Sequence, residues 1–188
     1  TRNLAGRRFP HAEDGGALAE VRTQVAEILG DGLWDRPWRV YEFETMSAVE
    51  IDHFVERGLM TPGFAESAGP GRGFAVYGGG EASLEINGID HLRMVGFRSG
   101  GQLASLWSLL NRLDDRLETA VSYAFDPQWG YLTASPRQAG NGMRAYATLQ
   151  LPALMLTGRL AGVALEVAGH ELGLAALWGG AGGVVQVS

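Results

Sequence analysis

Hydrophobic and polar positions alternate along this chain with a spacing that changes several times, and each change marks an element. Between residues 17 and 29, Leu18, Val21, Val25, Ile28 and Leu29 recur at helical spacing until Gly30-Asp31-Gly32 stops the run. Residues 38–43 alternate polar and apolar, as a half-buried strand does. Ser47-Ala48-Val49-Glu50 has the form of a capping box, so a helix starts there and ends near Gly58. Residues 61–73, rich in Gly, Pro and Ser, read as a loop, and 1–16 as irregular structure. Residues 73–77 and 82–86 flank three glycines and read as strand, turn, strand. Asn87-Gly88 is a hairpin signal that folds 82–86 back onto 90–97, with His91, Arg93 and Val95 on one face and Leu92 and Met94 on the other. Residues 102–121 give the clearest helix, with a stripe of Leu103, Leu106, Trp107, Leu110, Leu113, Leu117 and Val121. A Gly- and Pro-rich loop at 130–145 leads into an apolar run, 144–151, that reads as a buried strand closed by Pro152. A helix follows to about 167, weakened by its glycines, and 184–187 reads as a short terminal strand.

Hairpin-linked strands with helices between them predict an α+β fold with a mainly antiparallel sheet flanked by helices. The expected sheet contains 73–77, 82–86, 90–97 and 144–151, with the 102–121 helix on one face. A chain of 188 residues fits one domain, 1–188, large enough for a substantial core.

Composition narrows the chemistry. No apolar run is long enough to span a membrane, and 1–8 has no apolar signal segment, so a cytoplasmic location is expected. Cysteine is absent, which excludes disulfides and thiolate metal sites, and the four histidines are scattered without ligand spacing, so no metal site is predicted. A net charge of −6 argues against a nucleic-acid partner. All 15 basic residues are arginine, so a phosphate group here would be held by guanidinium forks and backbone amides. The loop at 130–145, ending in Arg144, suits such an anion: Gly140, Asn141 and Gly142 permit a concave turn of amides.

Four ordered blocks carry a resemblance. Tyr131-Leu132-Thr133, Pro136, Gly140-x-Gly142-Met143-Arg144-Ala145 and Leu151-Pro152-Ala153-Leu154 form the first. Asn87-Gly88-Ile89-Asp90-His91-Leu92-Arg93, then Asn111 to Glu118, then Tyr123-Ala124-Phe125-Asp126 form the others. Together they resemble the phosphagen (guanidino) kinases, closest to the bacterial protein-arginine kinase branch. The resemblance implies the guanidino kinase / glutamine synthetase-like catalytic fold, shortened here at both ends. It also implies transfer of the γ-phosphoryl of Mg·ATP to a guanidinium, a reaction that rests on positioning and arginine clamping. On this basis Arg93 and Arg144 are expected to bind ATP or ADP phosphates in a common cleft, with Arg2, Arg72 and His91 as further nucleotide contacts.

The departures are informative. Where the family has N-E-E-D, this chain has Asn87-Gly88-Ile89-Asp90, so two carboxylates are replaced and Asp90 alone remains. Ser135 stands at the family's cysteine. Ser135 and Asp90 are therefore the residues left at the catalytic places. A family flap arginine has no counterpart in the stretch 170–180. The reading that follows is a kinase-fold module with a decayed guanidinium site that binds nucleotide or phosphate, or regulates. Two alternatives stand beside it. One is an active kinase, acting on protein arginine side chains, with Asp90 or Glu85 as substitute base. The other is a homo- or hetero-oligomeric assembly subunit that packs through the apolar segment 172–187.

Overall fold

The computed structural model describes residues 1–67, 69–176 and 184–188. Chain contacts divide it into two compact units, Thr1–Gly142 and Met143–Ser188, each described here by itself.

The first unit is built on a four-stranded antiparallel sheet in the order β1-β2-β3-β4: β1 (Trp38–Glu42), β2 (Gly73–Tyr77), β3 (Ala82–Ile86) and β4 (Leu92–Gly96). Strand alternation assigns its two faces. Ala75 and Tyr77 of β2 and Ala82, Leu84 and Ile86 of β3 share a core with Val21, Val25 and Leu29 of helix α1 (Gly15–Leu29). Leu109, Leu113 and Leu117 of a long helix belong to the same core. On the other face Phe74 and Val76 meet Phe54 of α2 (Ala48–Glu56) and Phe64 of α3 (Pro62–Glu66). Both faces are covered, which is why every side chain of β2 and β3 is buried.

Two polar side chains on that second face of β3 are satisfied by the same segment. Ser83 Oγ donates to the Leu59 carbonyl, and Glu85 Oε1 accepts the Thr61 amide at 2.6 Å. Thr61 is the N-cap residue just before α3, so Glu85 stitches a helix start to the sheet.

The capping box at Ser47 and Glu50 is present as the sequence predicts, and Asp14 caps α1 by accepting the Ala17 amide at 2.9 Å. The long helix is α4 (Leu103–Glu118), packed on the sheet as expected. Its stripe is buried only in its C-terminal half, however: Leu103 and Trp107 are exposed. Residues 61–73, expected as a loop, contain α3 because Pro62 opens a helical turn from Thr61. The irregular start is also tied down: Arg2 pairs with Leu92 and Leu4 with Tyr123 in antiparallel bridges.

The turn after β3 differs from the tight hairpin expected. Asn87 takes the left-handed conformation (φ 58°) that Asn-Gly favours, but its amide bonds to the His91 carbonyl at 2.8 Å. The connection is thus a five-residue loop, and Asp90 and His91 sit in it rather than on β4.

The second unit holds β7 (Ala147–Gln150), α5 (Pro152–Leu156), α6 (Leu160–Ala168), β8 (Leu174–Ala176) and β9 (Val184–Val187). Between α4 and β7 lies a short antiparallel pair of the first unit, β5 (Phe125–Asp126) with β6 (Gly130–Tyr131). The strand predicted at 144–151 does not join the main sheet. It pairs instead with β9, Ala147 opposite Val187, in a separate sheet of order β7-β9-β8, and its side chains are exposed rather than buried. A nearby-looking apolar run found its hydrogen-bond partner in the chain's last strand instead. The helix expected over 152–167 is split into α5 and α6 at Gly158, whose φ of 67° no helix accommodates. The stretch compared with the family flap, 170–180, lies outside the described residues from 177 onward, as does part of the apolar segment 172–187. Among the described residues, no helix is long and apolar enough to cross a membrane.

Candidate functional site

The loop beginning at Gly130 is fixed at several points. Tyr131 and Gly140 exchange backbone hydrogen bonds at 2.8 and 3.2 Å, and a 3-10 turn over Pro136–Gln138 closes the loop's far end. Gly130 (φ 74°) has no room for a side chain, since a Cβ there would lie 2.6 Å from the Gly140 carbonyl oxygen.

Asp90 holds the middle of this loop. Its Oδ1 accepts the Ala134 amide at 2.7 Å and Asn3 Nδ2 at 2.6 Å. Asn3 Nδ2 also donates to the Leu132 carbonyl at 3.1 Å, and Asn3 Oδ1 accepts the His91 amide at 2.9 Å. His91 Nδ1 lies 2.9 Å from the same Oδ1, an atom that only accepts, so Nδ1 carries the ring proton; the Leu4 amide, at 3.4 Å from Nδ1, is the weaker contact. His91 Nε2 is buried without a partner among the described residues. Burial lowers the His91 pKa, so the ring is neutral at neutral pH. Asn3, Asp90 and His91 form one buried polar knot joining the chain start, the loop after β3 and the loop beginning at Gly130. Sequence reasoning missed Asn3, whose partners lie far along the chain.

Arg2 is engaged as well. Its Nη2 pairs with Asp114 Oδ2 at 2.5 Å, and its Nη1 donates to the Asn141 carbonyl at 2.9 Å. The guanidinium carbon sits 3.7 Å from the centre of the Tyr131 ring. Asp114 also accepts the Tyr123 hydroxyl at 3.1 Å, and burial pushes that phenol's pKa upward.

Arg93, on β4, differs: it is half-buried and makes no hydrogen bond or ion pair with another described residue. It stands opposite Glu85 in the sheet register. Glu85 is 2 % exposed, and burial raises its pKa against the opposing pull of the Thr61 amide, Arg93 and Arg72. Arg144 lies in the second unit and is exposed. Ser135 leads into the 3-10 turn, half-buried, and its carbonyl accepts the Thr133 hydroxyl at 2.8 Å.

Arg72 borders a cleft of about 520 Å³ that also takes in Ser67, Asn87, Gly88, Ile89 and Ala134. The two positions that depart from N-E-E-D thus line the cleft, and Ile89 is 70 % exposed there. No acidic side chain lines it. Among the described residues, no three His, Asp or Glu side chains gather as metal ligands.

Residues 20–186 match the family model for the ATP:guanido phosphotransferase C-terminal catalytic domain. The chain belongs to the ATP:guanido phosphotransferase family. Among its curated relatives, a protein-arginine kinase of Moorella thermoacetica is 36% identical over 169 residues, 88% of this chain and 47% of that protein. Another, of Desulforamulus reducens, is 32% identical over 196 residues, 100% of this chain and 54% of that protein. A third, of Halothermothrix orenii, is 33% identical over 159 residues, 85% of this chain and 45% of that protein. The chain therefore spans about half the length of the curated relatives it matches. Among solved structures, the substrate-free duplicated taurocyamine kinase of Schistosoma mansoni superposes with a TM-score of 0.82 at 20% identity, over 100% of this chain and 28% of that one. A lombricine kinase gives 0.79 at 18% identity, over 100% and 56%. The α+β fold read from the sequence is that of these guanidino kinases.

Proposed function

We propose that this guanidino kinase domain, taken as one unit over 1–188, no longer handles a guanidinium and acts as a nucleotide- or phosphate-binding or regulatory module. One observation carries the reading: the cleft at Gly88 and Ile89 has no carboxylate, and the remaining motif acid, Asp90, spends its Oδ1 on Ala134 and Asn3. A guanidinium is protonated at every accessible pH, with a pKa above about 12, so attack on phosphorus requires a base and an opposing charge. An isoleucine supplies neither.

The residue best suited to an ATP or ADP phosphate is Arg93, whose fork has no competing hydrogen-bond or ion-pair partner among the described residues, whereas Arg2 would first have to leave Asp114. Bound Mg·ATP would supply the transferable phosphoryl group; Arg93 would orient its oxygens. With Arg93 as the one guanidinium assigned to the phosphate, nucleotide affinity should be weak, from high micromolar to millimolar, or about 4 to 6 kcal/mol. Calorimetric titration with ADP on wild type and Arg93→Ala tests the assignment: equal affinities would remove Arg93 from the site.

The rival reading, an active kinase directed at protein arginine, draws on Glu85, whose burial-raised pKa is what a general base needs. Glu85 faces the Thr61 amide and does not line the cleft, which counts against it. Phosphorus NMR with Mg·ATP and an arginyl peptide separates the two. Turnover above about one per second, within the ordinary kinase range, would overturn the decayed-site reading.

A further inference from the structure

The cleft beside Ile89 has lost the charge that suits a guanidinium, and it holds a charge of the opposite preference. Arg72 Nη1 is fully used: it donates to the Phe64 carbonyl at 3.3 Å, to the Ser67 carbonyl at 2.6 Å and to Ser67 Oγ. The guanidinium also packs over the Phe64 ring, 5.1 Å from its centre. These contacts hold the group in one orientation. Its Nε and Nη2 have no partner among the described residues, and neither is among the buried orphan atoms, so this edge of the fork meets solvent. Among the described residues no carboxylate lies within ion-pair distance of it, the buried Glu85 acting on it only from farther away.

The walls are apolar where the fork is not. Pro10, Leu18, Pro70 and Ile89 border the same cleft. A cleft of about 520 Å³ falls in the usual range for small-molecule sites, which run to roughly 300–1,000 Å³. A fixed cation with two parallel donors free, set in an apolar wall, matches a planar bidentate acceptor on a short hydrocarbon. A guanidinium brought to the same place meets a like charge.

We propose that this cleft binds a small organic carboxylate, its oxygens on the Nε–Nη2 edge of Arg72 and its hydrocarbon against Leu18, Pro70 and Ile89. The inference rests on the reading that the guanidinium subsite is gone, and it adds what replaced it.

The test is an amide-resolved NMR titration of the protein with three probes: 3-methylbutanoate, inorganic phosphate and agmatine. The carboxylate should shift Gly88, Ile89 and Ala134 saturably, in the range of about 1–10 mM. Agmatine should leave them unmoved. Arg72→Gln should weaken the carboxylate about tenfold or more, and Arg72→Lys, which keeps the charge and loses the fork, by a smaller factor. Ile89→Glu should weaken the carboxylate and admit agmatine. If Arg72→Gln does not fold, the lysine variant and the agmatine arm on wild type still decide. Agmatine binding as well as the carboxylate overturns the proposal, as does carboxylate binding indifferent to both Arg72 variants. Phosphate shifting these amides while 3-methylbutanoate does not would also overturn it, in favour of a bare oxyanion site. Guanidine phosphorylation would sink the underlying reading itself. Absence of carboxylate binding in a protein that phosphorylates no guanidine sinks only this inference.

Discussion

Replacing Asp90 distinguishes a catalytic acid from a structural one. Asp90→Ala removes two charge-assisted hydrogen bonds, of 2.7 Å from the Ala134 amide and 2.6 Å from Asn3 Nδ2, at a side chain only 6 % exposed. A hydrogen bond to a charged group contributes about 1.5–3 kcal/mol. Asn3 Nδ2 retains the Leu132 carbonyl at 3.1 Å, so its loss is partly offset, whereas the Ala134 amide makes no other hydrogen bond among the described residues. The expected cost is therefore about 3 kcal/mol, a large share of the roughly 5–15 kcal/mol that holds a domain together. Asp90→Asn keeps an acceptor without the charge and should cost about 1 kcal/mol. The assay is urea unfolding followed by tryptophan fluorescence, with hydrogen exchange at the Ala134 amide as the local readout. That amide should lose protection in Asp90→Ala beyond the global change. A stability within about 0.5 kcal/mol of wild type, with Ala134 protection unchanged, would refute the structural role and return Asp90 to the chemistry.

Three further outcomes are expected. Glu85 has a folded-state pKa raised by burial, so its contribution to stability is fully present below the ordinary carboxylate value of 4.5 and is lost as pH rises through the folded value. Glu85→Gln, which keeps an acceptor for Thr61, should therefore flatten the fall in stability between pH 4.5 and the raised folded value in urea melts; an unchanged slope there would show that Glu85 is not the responsible group. Gly130→Ala forces a Cβ to 2.6 Å from a carbonyl oxygen at a positive φ, and should cost about 1–3 kcal/mol in the same melts; a neutral result would mean that the Tyr131–Gly140 pairing is looser than its geometry. Asn3→Ala should lower stability and release Ala134 protection, as Asp90→Ala does, with the double change costing less than the sum, because the two residues share one knot; strict additivity would dissolve the knot.

What the sequence reveals depends on how far apart the interacting residues lie. The capping box at Ser47 and Glu50 spans three positions and is legible because both partners are in one short window. The strands at 73–77 and 82–86 are legible for the same reason, their alternation being local. The Asn87-Gly88 signal is half right. Asn87 takes the left-handed turn conformation, but its Nδ2 is drawn to the carbonyls of Leu18 at 2.7 Å and Gly71 at 2.6 Å, outside any local window. The loop opens accordingly, and Asp90 moves off the strand. The 144–151 run fails more completely: its apolar pattern fits any sheet with a free edge, and nothing in the run itself names β9 as the partner. Among the candidate site residues, the motif points to Arg93 and Asp90, but it does not disclose that Arg2 is paired or that Asp90 Oδ1 is engaged. Those facts belong to Asp114, Asn3 and Ala134, the partners at 112, 87 and 44 positions' distance.

That separation explains how a motif acid can outlast its neighbours. Ile89 lines the cleft and is 70 % exposed, so on the proposed reading a neutral side chain in place of a carboxylate there removes chemistry without disturbing the core. Asp90, one position on, points into the fold and fastens two loops to it, so its loss is felt by the native state whatever ligand the cleft receives. The retained aspartate is thus no sign of retained phosphoryl transfer. The informative positions for activity are the exposed Ile89 and the half-buried Ser135: a guanidine-phosphorylating variant should be reached through Ile89→Glu with Ser135→Cys, and not through any change at Asp90. Recovery of turnover by that pair in the phosphorus NMR assay would place the deficit at these two positions. Continued inactivity would place it outside these two positions, in the grip on the nucleotide.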